Sequence, residues 1–488
     1  MCFPEVRPLS AEIELKFLAD PADLAAVLAA TSGEELVSRT LIATYFDTPD
    51  RDLARAQAAL RLRDDGKGRF QTLKIGEGFS RQEYETPAPF EGLDLDQRAL
   101  KKTLKSDQRR KLEPVFMVTV ARRSRTLTFN GARIELALDE GEIVANACKQ
   151  ALCDVELELK EGSPRALFEL ARHLCATAPL YLCLESKAAQ GQSLSIGRAS
   201  EPWWQPKAQL TVKHSVRLAF QQIARNALAQ ITSCAAALRH ADSVDGLHQL
   251  RIGVRRLRIA VSNFRKVAVD TRRSSIQAEL KWLLKACDEA RDLDVFVRDN
   301  GPLEPADSAF GISVETERQK AHANAIEALR SQRFRELTLE ASAWIEAGDW
   351  LDHASRKSSI EAFATKVMTR ALKKVLRLGS DLRNLSDIER HSLRIAAKKL
   401  RYSAEAFAPL LKTGPALIGR VKSLQDGLGD LNDAAVAARI VERLALPTAQ
   451  MRTADRLLQL RRDQNVALLA AAEKSMRQLA KGDLIRLI

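Results

Sequence analysis

The stretch Glu12-Ile13-Glu14-Leu15-Lys16-Phe17 decides the fold of the N-terminal part of the chain. Its charged and apolar residues alternate with a period of two, which predicts a β-strand with one charged face and one apolar face. The same alternation returns in Val155-Glu156-Leu157-Glu158-Leu159-Lys160 and, with arginine, in Leu60-Arg61-Leu62-Arg63. Several strands of the N-terminal part therefore carry an ionic face and an apolar face.

Two interpretations of these ionic faces are open. A single strand of this kind is most simply part of an antiparallel sheet whose charged face is solvated. The repetition favours a closed antiparallel barrel with inward charges, because the charged faces hold Glu, Arg and Lys almost without Ser, Thr or Gln. Carboxylate oxygens suit Mg²⁺, and Arg and Lys suit phosphate oxygens, so both kinds together predict a site for metal-bound polyphosphate.

The second part of the chain has a different pattern. From about Gln209 onward the sequence is rich in Ala, Leu, Arg and Lys at helical spacing. We therefore expect an α+β domain at 1–200 and an all-α domain at 201–488. Residues 192–209 have the composition of a linker, and a second break at 301–311 divides the helical part into two units.

Charge and cysteine usage narrow the functional classes. The net charge of +13 is concentrated in residues 201–488, which carry +15, whereas residues 1–200 carry −2. A basic half of this size attracts polyanions such as nucleic acid, anionic lipid or polyphosphate. The seven cysteines form no C-x-x-C pair, and no stretch has the 18 or more apolar residues of a membrane span. We expect a cytoplasmic protein that neither enters the membrane nor is secreted.

The motifs of the first domain, taken together and in this order, resemble the CYTH domain of the triphosphate tunnel metalloenzymes. They are Glu12-x-Glu14-x-Lys16, Tyr45-Phe46-Asp47-Thr48, Leu60-Arg61-Leu62-Arg63, Gln71-Thr72-Leu73-Lys74, Arg81-x-Glu83-x-Glu85 and Glu156-x-Glu158-x-Lys160. The resemblance implies a tunnel of eight antiparallel strands. It also implies that the tunnel binds a triphosphate with divalent cations and cleaves a phosphoanhydride bond.

The resemblance also implies roles for individual residues. The expected ligands of Mg²⁺ or Mn²⁺ are Glu12, Glu14, Glu156 and Glu158. The expected phosphate-binding cations are Lys16, Arg61, Arg63, Lys74, Arg81, Arg123, Lys160 and Lys187. Lys74 is also a candidate general base. The expected catalytic residues are therefore Lys74, Glu12 and Glu14. Four further acids could serve the metal, position water or pair with arginines, namely Glu83, Glu85, Glu135 and Asp139.

The helical half contains a repeated basic pattern, H-x-x-R-x-x-x-[RK]-[RK]-L-R. At about 100° per residue its basic positions share one narrow stripe of a helix, next to the apolar face. The two stripes consist of His248, Arg251, Arg255 and Arg258, and of His391, Arg394, Lys398 and Arg401. One copy would most simply be a solvated basic face, but two copies in the same register favour an anion site.

The same pattern resembles the CHAD domain over about residues 210–488. The resemblance implies two four-helix units whose stripes face a shared channel for inorganic polyphosphate. Each stripe is followed by an acidic segment, Ala290–Asp294 or Leu428–Asp433, which we expect to be a turn that braces the arginines. A capping box at Ser386 and Glu389 predicts that the second helix starts there.

Nucleic acid is the competing polyanion, but aromatic residues make up only 5% of the chain and a base-stacking platform is not evident. The sequence therefore predicts a metal-dependent hydrolase of inorganic triphosphate whose second domain binds polyphosphate. Three alternatives remain open. They are a nucleoside or thiamine triphosphatase, an adenylate cyclase on the same fold, and a polyphosphate-binding protein without catalysis.

Overall fold

The computed structural model describes residues 9–76, 79–89, 92–197, 210–240, 243–300, 308–352, 358–411, 414–444 and 448–480. The chain divides into two compact units. The first comprises Met1–Trp204 with Thr232–Ala237 and Ser331–Ala347, and the second comprises the rest. The predicted boundary at residue 200, most of the predicted linker and residues 301–307 of the predicted break lie outside the described residues, so the boundary stays a prediction.

The first unit is built on a closed ring of antiparallel strands. The described strands are β1 (Leu9–Leu18), β2 (Val37–Asp47), β3 (Ala58–Asp64), β4 (Arg69–Ile75), β5 (Ser80–Pro87), β6 (Glu113–Phe129), β7 (Ala132–Ala145), β8 (Cys148–Glu161) and β9 (Tyr181–Leu182). The first eight pair in the order β1-β5-β4-β3-β2-β6-β7-β8 and back to β1, and the short β9 adds to β1. The predicted eight-stranded antiparallel tunnel is confirmed.

Part of the outer face of the ring is apolar and packs against helices. The described α-helices of this part of the chain are α1 (Leu24–Ala29), α2 (Asp52–Arg55), α3 (Arg98–Thr103), α4 (Ser106–Arg109), α5 (Pro164–Thr177) and α6 (Lys187–Ser195). Leu15 and Phe17 of β1 are buried on the side of α5. Leu60 of β3 is buried in a cluster with residues of α2 and α3. The charged residues of the same strands consequently face the interior.

The interior of the ring is charged over one part and apolar over the other. Leu41, Tyr45, Phe116 and Val120 belong to a buried interior cluster that also contains Leu194 of α6. Helix α6 packs closely here, since a Cβ atom at position 191, now glycine, would lie 2.2 Å from the ring of Phe116. Helix α6 thus covers the apolar end of the tunnel and begins at the border of the charged part.

The rest of the chain is helical, as predicted. The helices are α7 (Val216–Leu238), α8 (Val244–Asn263), α9 (Arg272–Ala286), α10 (Asp288–Asn300), α11 (Ala309–Arg330), α12 (Gln332–Ala347), α13 (Ile360–Leu378), α14 (Asp387–Phe407), α15 (Gly414–Arg443) and α16 (Thr448–Ala480). Helix α12 groups with the first unit, where it packs on α5 and β9. In the second unit α8 contacts α14, and α10 contacts α15. Among the described residues, the helices lack the continuous apolar length that a membrane span requires.

Two local predictions for the second unit have different outcomes. The capping box is confirmed, because Ser386 accepts a hydrogen bond from the backbone N–H of Glu389, and the Glu389 side chain accepts one from the backbone N–H of Ser386. The prediction that the acidic segments are turns is wrong, because they lie within α10 and α15. Buried Leu293 and Leu428 anchor these segments, so packing overrides the weak helix propensity of Asp and Gly.

Candidate functional site

The charged part of the tunnel begins with ion pairs among β1, β4 and β5. Lys74 donates hydrogen bonds to both carboxylate oxygens of Glu12, at 2.7 and 2.9 Å. Arg81 donates to Glu14 at 2.8 Å. Lys74 also lies 3.5 Å from Glu83, which the strand register places directly opposite it. The predicted metal ligands of β1 are therefore held by predicted phosphate-binding cations.

Two arginines of β3 extend this network around the wall. Arg63 donates to Glu85 at 3.1 Å, and Arg61 lies 3.8 Å from Glu83. Burial disfavours the charge on Arg61, but Tyr45 and Glu83 outweigh burial and raise the pKa of the guanidinium. Glu83 and Glu85 thus act as partners of the arginines, one of the roles left open from sequence.

A second group of charges lies beside the start of α6. Lys187, the first residue of α6, donates to Asp139 at 2.7 Å and to Glu156, and it lies 3.4 Å from Asp154. Arg122 donates to Asp139 at 2.6 and 2.7 Å and to Glu156 at 2.5 Å. Burial opposes ionisation of Glu156, but Lys187 and Arg122 hold its pKa well below the usual range.

Lys16 and Asp154 form the most enclosed pair of the tunnel. Their charged groups lie 3.7 Å apart, and the side chains are 6% and 1% exposed. The Nζ atom of Lys16 and both carboxylate oxygens of Asp154 have no hydrogen-bond partner among the described residues. Burial disfavours the charge of Lys16, yet Asp154 and other neighbours raise its pKa to about 12. Lys16 therefore keeps hydrogen-bonding capacity for an anion.

A third group of charges crosses from β8 to β7. Lys160 lies 2.7 Å from Glu158 and 2.9 Å from Glu135. Burial raises the pKa of Glu158, and the neighbouring charges of Glu12 and Glu135 add to the increase, although Lys160 opposes them. Glu12 and Glu135, on the two neighbouring strands, are thus each close enough to repel Glu158. We call these interior charges the tunnel network. Its members are Glu12, Glu14, Lys16, Arg61, Arg63, Lys74, Arg81, Glu83, Glu85, Arg122, Glu135, Asp139, Asp154, Glu156, Glu158, Lys160 and Lys187.

The fit of a divalent cation rests on the chemistry of these carboxylates. The described residues contain no cluster of three or more His, Cys, Asp or Glu side chains arranged to hold a metal ion. The repulsion of Glu158 by Glu12 and by Glu135 nevertheless suits a cation, and carboxylate oxygens are the ligands that Mg²⁺ prefers. Glu156 fits less well, because Lys187 and Arg122 already neutralise it.

One predicted residue lies outside the tunnel network. Arg123 points to the outer face, where it donates to Glu140 at 2.8 Å, and Arg122 takes the interior position. The prediction of Arg123 is therefore off by one residue. The error has a physical cause. In β1 and β3 the aliphatic residues point outward, but Val118 and Val120 of β6 face the interior, on the same side as Arg122. Asp154 was also missed, and only its spacing of two from Glu156 could have indicated it.

In the second unit, the two stripes bring four cations together on α8 and α14. Burial lowers the pKa of Lys398 to about 7, and the charges of Arg394, Arg255 and Arg251 lower it further. Burial and Arg251 likewise lower the pKa of Arg255. Arg251 is 5% exposed and donates to Asp288 at 2.7 Å. The four cations are close enough to repel one another.

Two further residues border these four cations. Burial lowers the pKa of His248 to about 4, and the neighbouring charges of Arg291 and Arg255 contribute. Arg291 lies on α10, inside the acidic segment, and was not predicted. The expected bracing is present at one point, since Asp433 of α15 lies 3.7 Å from Arg394. We call these six basic residues the paired-helix cluster, namely His248, Arg251, Arg255, Arg291, Arg394 and Lys398.

The other predicted members of the stripes have different surroundings. Arg401 donates to Glu405 of its own helix at 2.8 Å. His391 is exposed near the start of α14. The pKa of Arg258 is lowered by burial alone, without a contribution from the paired-helix cluster. The helical periodicity thus predicted a common face but not which residues of that face meet those of the other helix.

Comparisons with known proteins agree with this architecture. Residues 10–191 match the family model of the CYTH domain, and residues 222–442 match that of the CHAD domain. An inorganic triphosphatase of Haemophilus influenzae is 30% identical over 209 residues, which are 39% of this chain and 57% of that protein. The chain therefore spans little more than half the length of this curated relative.

Two other proteins match a larger part of the chain. An uncharacterized protein of Mycobacterium tuberculosis is 24% identical over 449 residues, which are 85% of each chain. The crystal structure of the CHAD domain from the plant Ricinus communis is 27% identical with a TM-score of 0.49, and it covers 57% of this chain and 96% of that one. On the two family matches, this chain contains a CYTH domain followed by a CHAD domain.

Proposed function

We propose that the first domain, 1–200, hydrolyses inorganic triphosphate to diphosphate and phosphate with the help of Mg²⁺ or Mn²⁺. The observation that carries the proposal is the tunnel network, in which cations and carboxylates alternate inside a closed ring of strands. The name of the relative from Haemophilus influenzae, an inorganic triphosphatase, supports the same substrate. We place the reaction in the cytoplasm, because the cysteines of the described residues are free thiols.

The proposed substrate contacts follow from the ion pairs. A triphosphate would take over the cations that now bind carboxylates, and Lys16 would contribute its unused donors. The phosphate-binding residues in this proposal are Lys16, Arg61, Arg63, Lys74, Arg81, Arg122, Lys160 and Lys187. Arg122 replaces Arg123, which lies outside the ring.

The proposed metal ligands are Glu12, Glu14 and Glu158, with Glu156 as a partner of Lys187 and Arg122. A bound divalent cation would neutralise negative charge on the phosphate oxygens and on the leaving group. The lysines and arginines of the tunnel wall would stabilise the same charge and hold the triphosphate in position for attack by water. Lys74 donates to Glu12 as an ammonium group, so it could accept a proton from water only after it had first given up a proton of its own.

An activity assay tests the proposal. Full-length protein is incubated with triphosphate, ATP or thiamine triphosphate in the presence of Mg²⁺ or Mn²⁺, and phosphate and cyclic AMP are followed. We expect phosphate release chiefly from triphosphate, lost in Glu14→Gln and kept in Glu142→Gln, a matched change of a carboxylate that pairs with Lys149. Faster turnover of ATP or thiamine triphosphate, or formation of cyclic AMP, would support the alternatives.

For the second domain, 201–488, we propose binding of inorganic polyphosphate by the paired-helix cluster. The positive charges of the cluster repel one another, and a bound anion would relieve this repulsion. We test this by retention of the full-length protein on immobilised polyphosphate, with Arg251→Gln as the variant that we expect to weaken retention. A protein that binds polyphosphate but hydrolyses none of the three substrates would be a binding protein without catalysis.

A further inference from the structure

Helix α13 carries a second basic surface that neither stripe includes. Its exposed positions hold five basic residues, Lys366, Arg370, Lys373, Lys374 and Arg377. At about 100° per residue they fall within a sector of about 100° that extends roughly 16 Å along the helix. The buried residues Ala364, Met368, Leu372 and Val375 lie on the opposite side. We call these five residues the α13 stripe.

The α13 stripe differs from an ordinary solvated helix face. Solvated faces usually mix charges of both signs, because like charges three or four residues apart destabilise a helix. Within α13 the single acidic residue, Glu361, lies in the first turn, and none interrupts the stripe. Lys366 and Arg370 are four residues apart, as are Arg370 and Lys374. The helix therefore maintains a repulsion that a bound polyanion would relieve.

The α13 stripe lies beside two further basic residues, Lys399 of α14 and Arg265, which follows the end of α8. Burial lowers the pKa of Lys399 on α14, and the charges of Arg265, Lys374 and Arg370 lower it further. Lys399 donates to the Ser262 hydroxyl of α8 at 2.8 Å. It also follows directly after Lys398, a member of the paired-helix cluster. Helix α14 thus presents basic side chains toward both the cluster and α13.

We propose that the α13 stripe, reached across Lys399, is an extension site for long polyphosphate chains that outgrow the paired-helix cluster. This proposal rests on the proposed polyphosphate binding of the second domain. A linear chain of phosphates suits a straight row of cations, since each repeat offers negative charge and no base needs to be stacked. The stripe contains no aromatic, Asn or Gln residue that would read a nucleic acid.

The test compares chain lengths in full-length protein with Glu14→Gln, which prevents the proposed hydrolysis. The stripe variant replaces Lys366, Arg370, Lys373 and Lys374 by Gln. The control replaces the exposed residues Lys101, Lys102, Lys105 and Arg110 of the tunnel domain by Gln, so that both proteins lose the same charge. Affinity for short-chain and long-chain polyphosphate is measured over a series of salt concentrations.

We expect the stripe variant to bind short chains as the parent does and to bind long chains more weakly. The salt dependence is the slope of log K against log salt concentration. Each lost phosphate contact should reduce the magnitude of this slope by about 0.7, so the loss of four contacts should reduce it by about 3. Equal long-chain slopes in the stripe variant and the parent would overturn the proposal. So would a loss matched by the control, or stronger stripe-dependent binding of duplex DNA. A parent that retains no polyphosphate would instead refute the function proposed for the second domain.

Discussion

The tunnel network and the paired-helix cluster both gather buried cations, but they balance the charge in opposite ways. In the tunnel, Lys16 faces Asp154, and its pKa is raised to about 12 despite burial. On the helices, burial and the charges of three neighbouring arginines lower the pKa of Lys398 to about 7. The tunnel is therefore balanced by its own carboxylates, whereas in the helical cluster Asp288 and Asp433 offset the repulsion among the cations only in part.

This difference predicts two kinds of phosphate binding. In the tunnel a phosphate chain must displace carboxylates from lysines and arginines, which costs free energy unless a divalent cation takes up those carboxylates. In the helical cluster an anion adds to the partial balance that Asp288 and Asp433 provide and relieves the remaining repulsion. We therefore expect tunnel binding to depend on the metal, and helical binding to depend on salt and pH.

The largest expected effect concerns adjacent arginines of β6. Arg122→Ala should reduce kcat/KM for triphosphate by about 10²-fold, because it removes a cation that would stabilise transition-state charge. Arg123→Ala should leave kcat/KM nearly unchanged, because Arg123 pairs with Glu140 on the outer face. The measurement is steady-state phosphate release. The reverse ranking would mean that the strand register assigned to the interior is wrong.

A smaller effect is expected for single cations of the helices. Arg394→Ala should weaken polyphosphate binding by about tenfold, the size of one charge-assisted hydrogen bond. Arg401→Ala should have little effect, because Arg401 is already paired with Glu405. Titration of a fluorescent polyphosphate measures both. Equal losses in the two variants would show that the whole stripe binds, as the sequence pattern alone predicts.

The pH dependence of helical binding should follow Lys398. Below pH 7 its amine is protonated before binding; above pH 7 the free protein loses the proton, and a bound polyanion must restore it. Affinity should therefore fall as pH rises from 7 to 8, by at most about tenfold. His248, with a pKa of about 4, is neutral in the free protein over this range.

A matched variant isolates this contribution. Lys398→Arg keeps the charge at every pH of the experiment, so its affinity should not fall above pH 7. Isothermal titration in buffers of different ionisation enthalpy would also report proton uptake by the parent at pH 8. If the parent and Lys398→Arg show the same pH profile, Lys398 is not the titrating group.

The strands show how far sequence reasoning reaches in the tunnel. The alternation around Glu12 and Glu156 predicted their faces correctly, because a period of two leaves only two choices per strand. It failed at Arg123, where interior valines continue into the apolar part under α6. The cover by α6 depends on contacts between residues far apart in sequence, and no local pattern encodes them.

The helices show a different limit. A period of 3.6 predicted the stripes and the start of α14 at Ser386, since caps and faces are local properties. It could not identify Arg291 of α10 as a neighbour of His248, because that contact depends on how two helices cross. The pairing of Arg401 with Glu405 was available at a spacing of four, but periodicity alone did not rank it above anion binding.

The smallest expected effect separates helix formation from cluster formation. Ser386→Ala removes one side of the capping box of α14 and should lower the free energy of unfolding by about 1 kcal/mol, measured by urea denaturation. Affinity for polyphosphate under native conditions should not change, because Arg394 and Lys398 are positioned by buried Leu393, Ala397 and Leu400 rather than by the cap. A loss of affinity equal to that of Arg394→Ala would mean that the local helix start, and not packing between helices, holds the paired-helix cluster together.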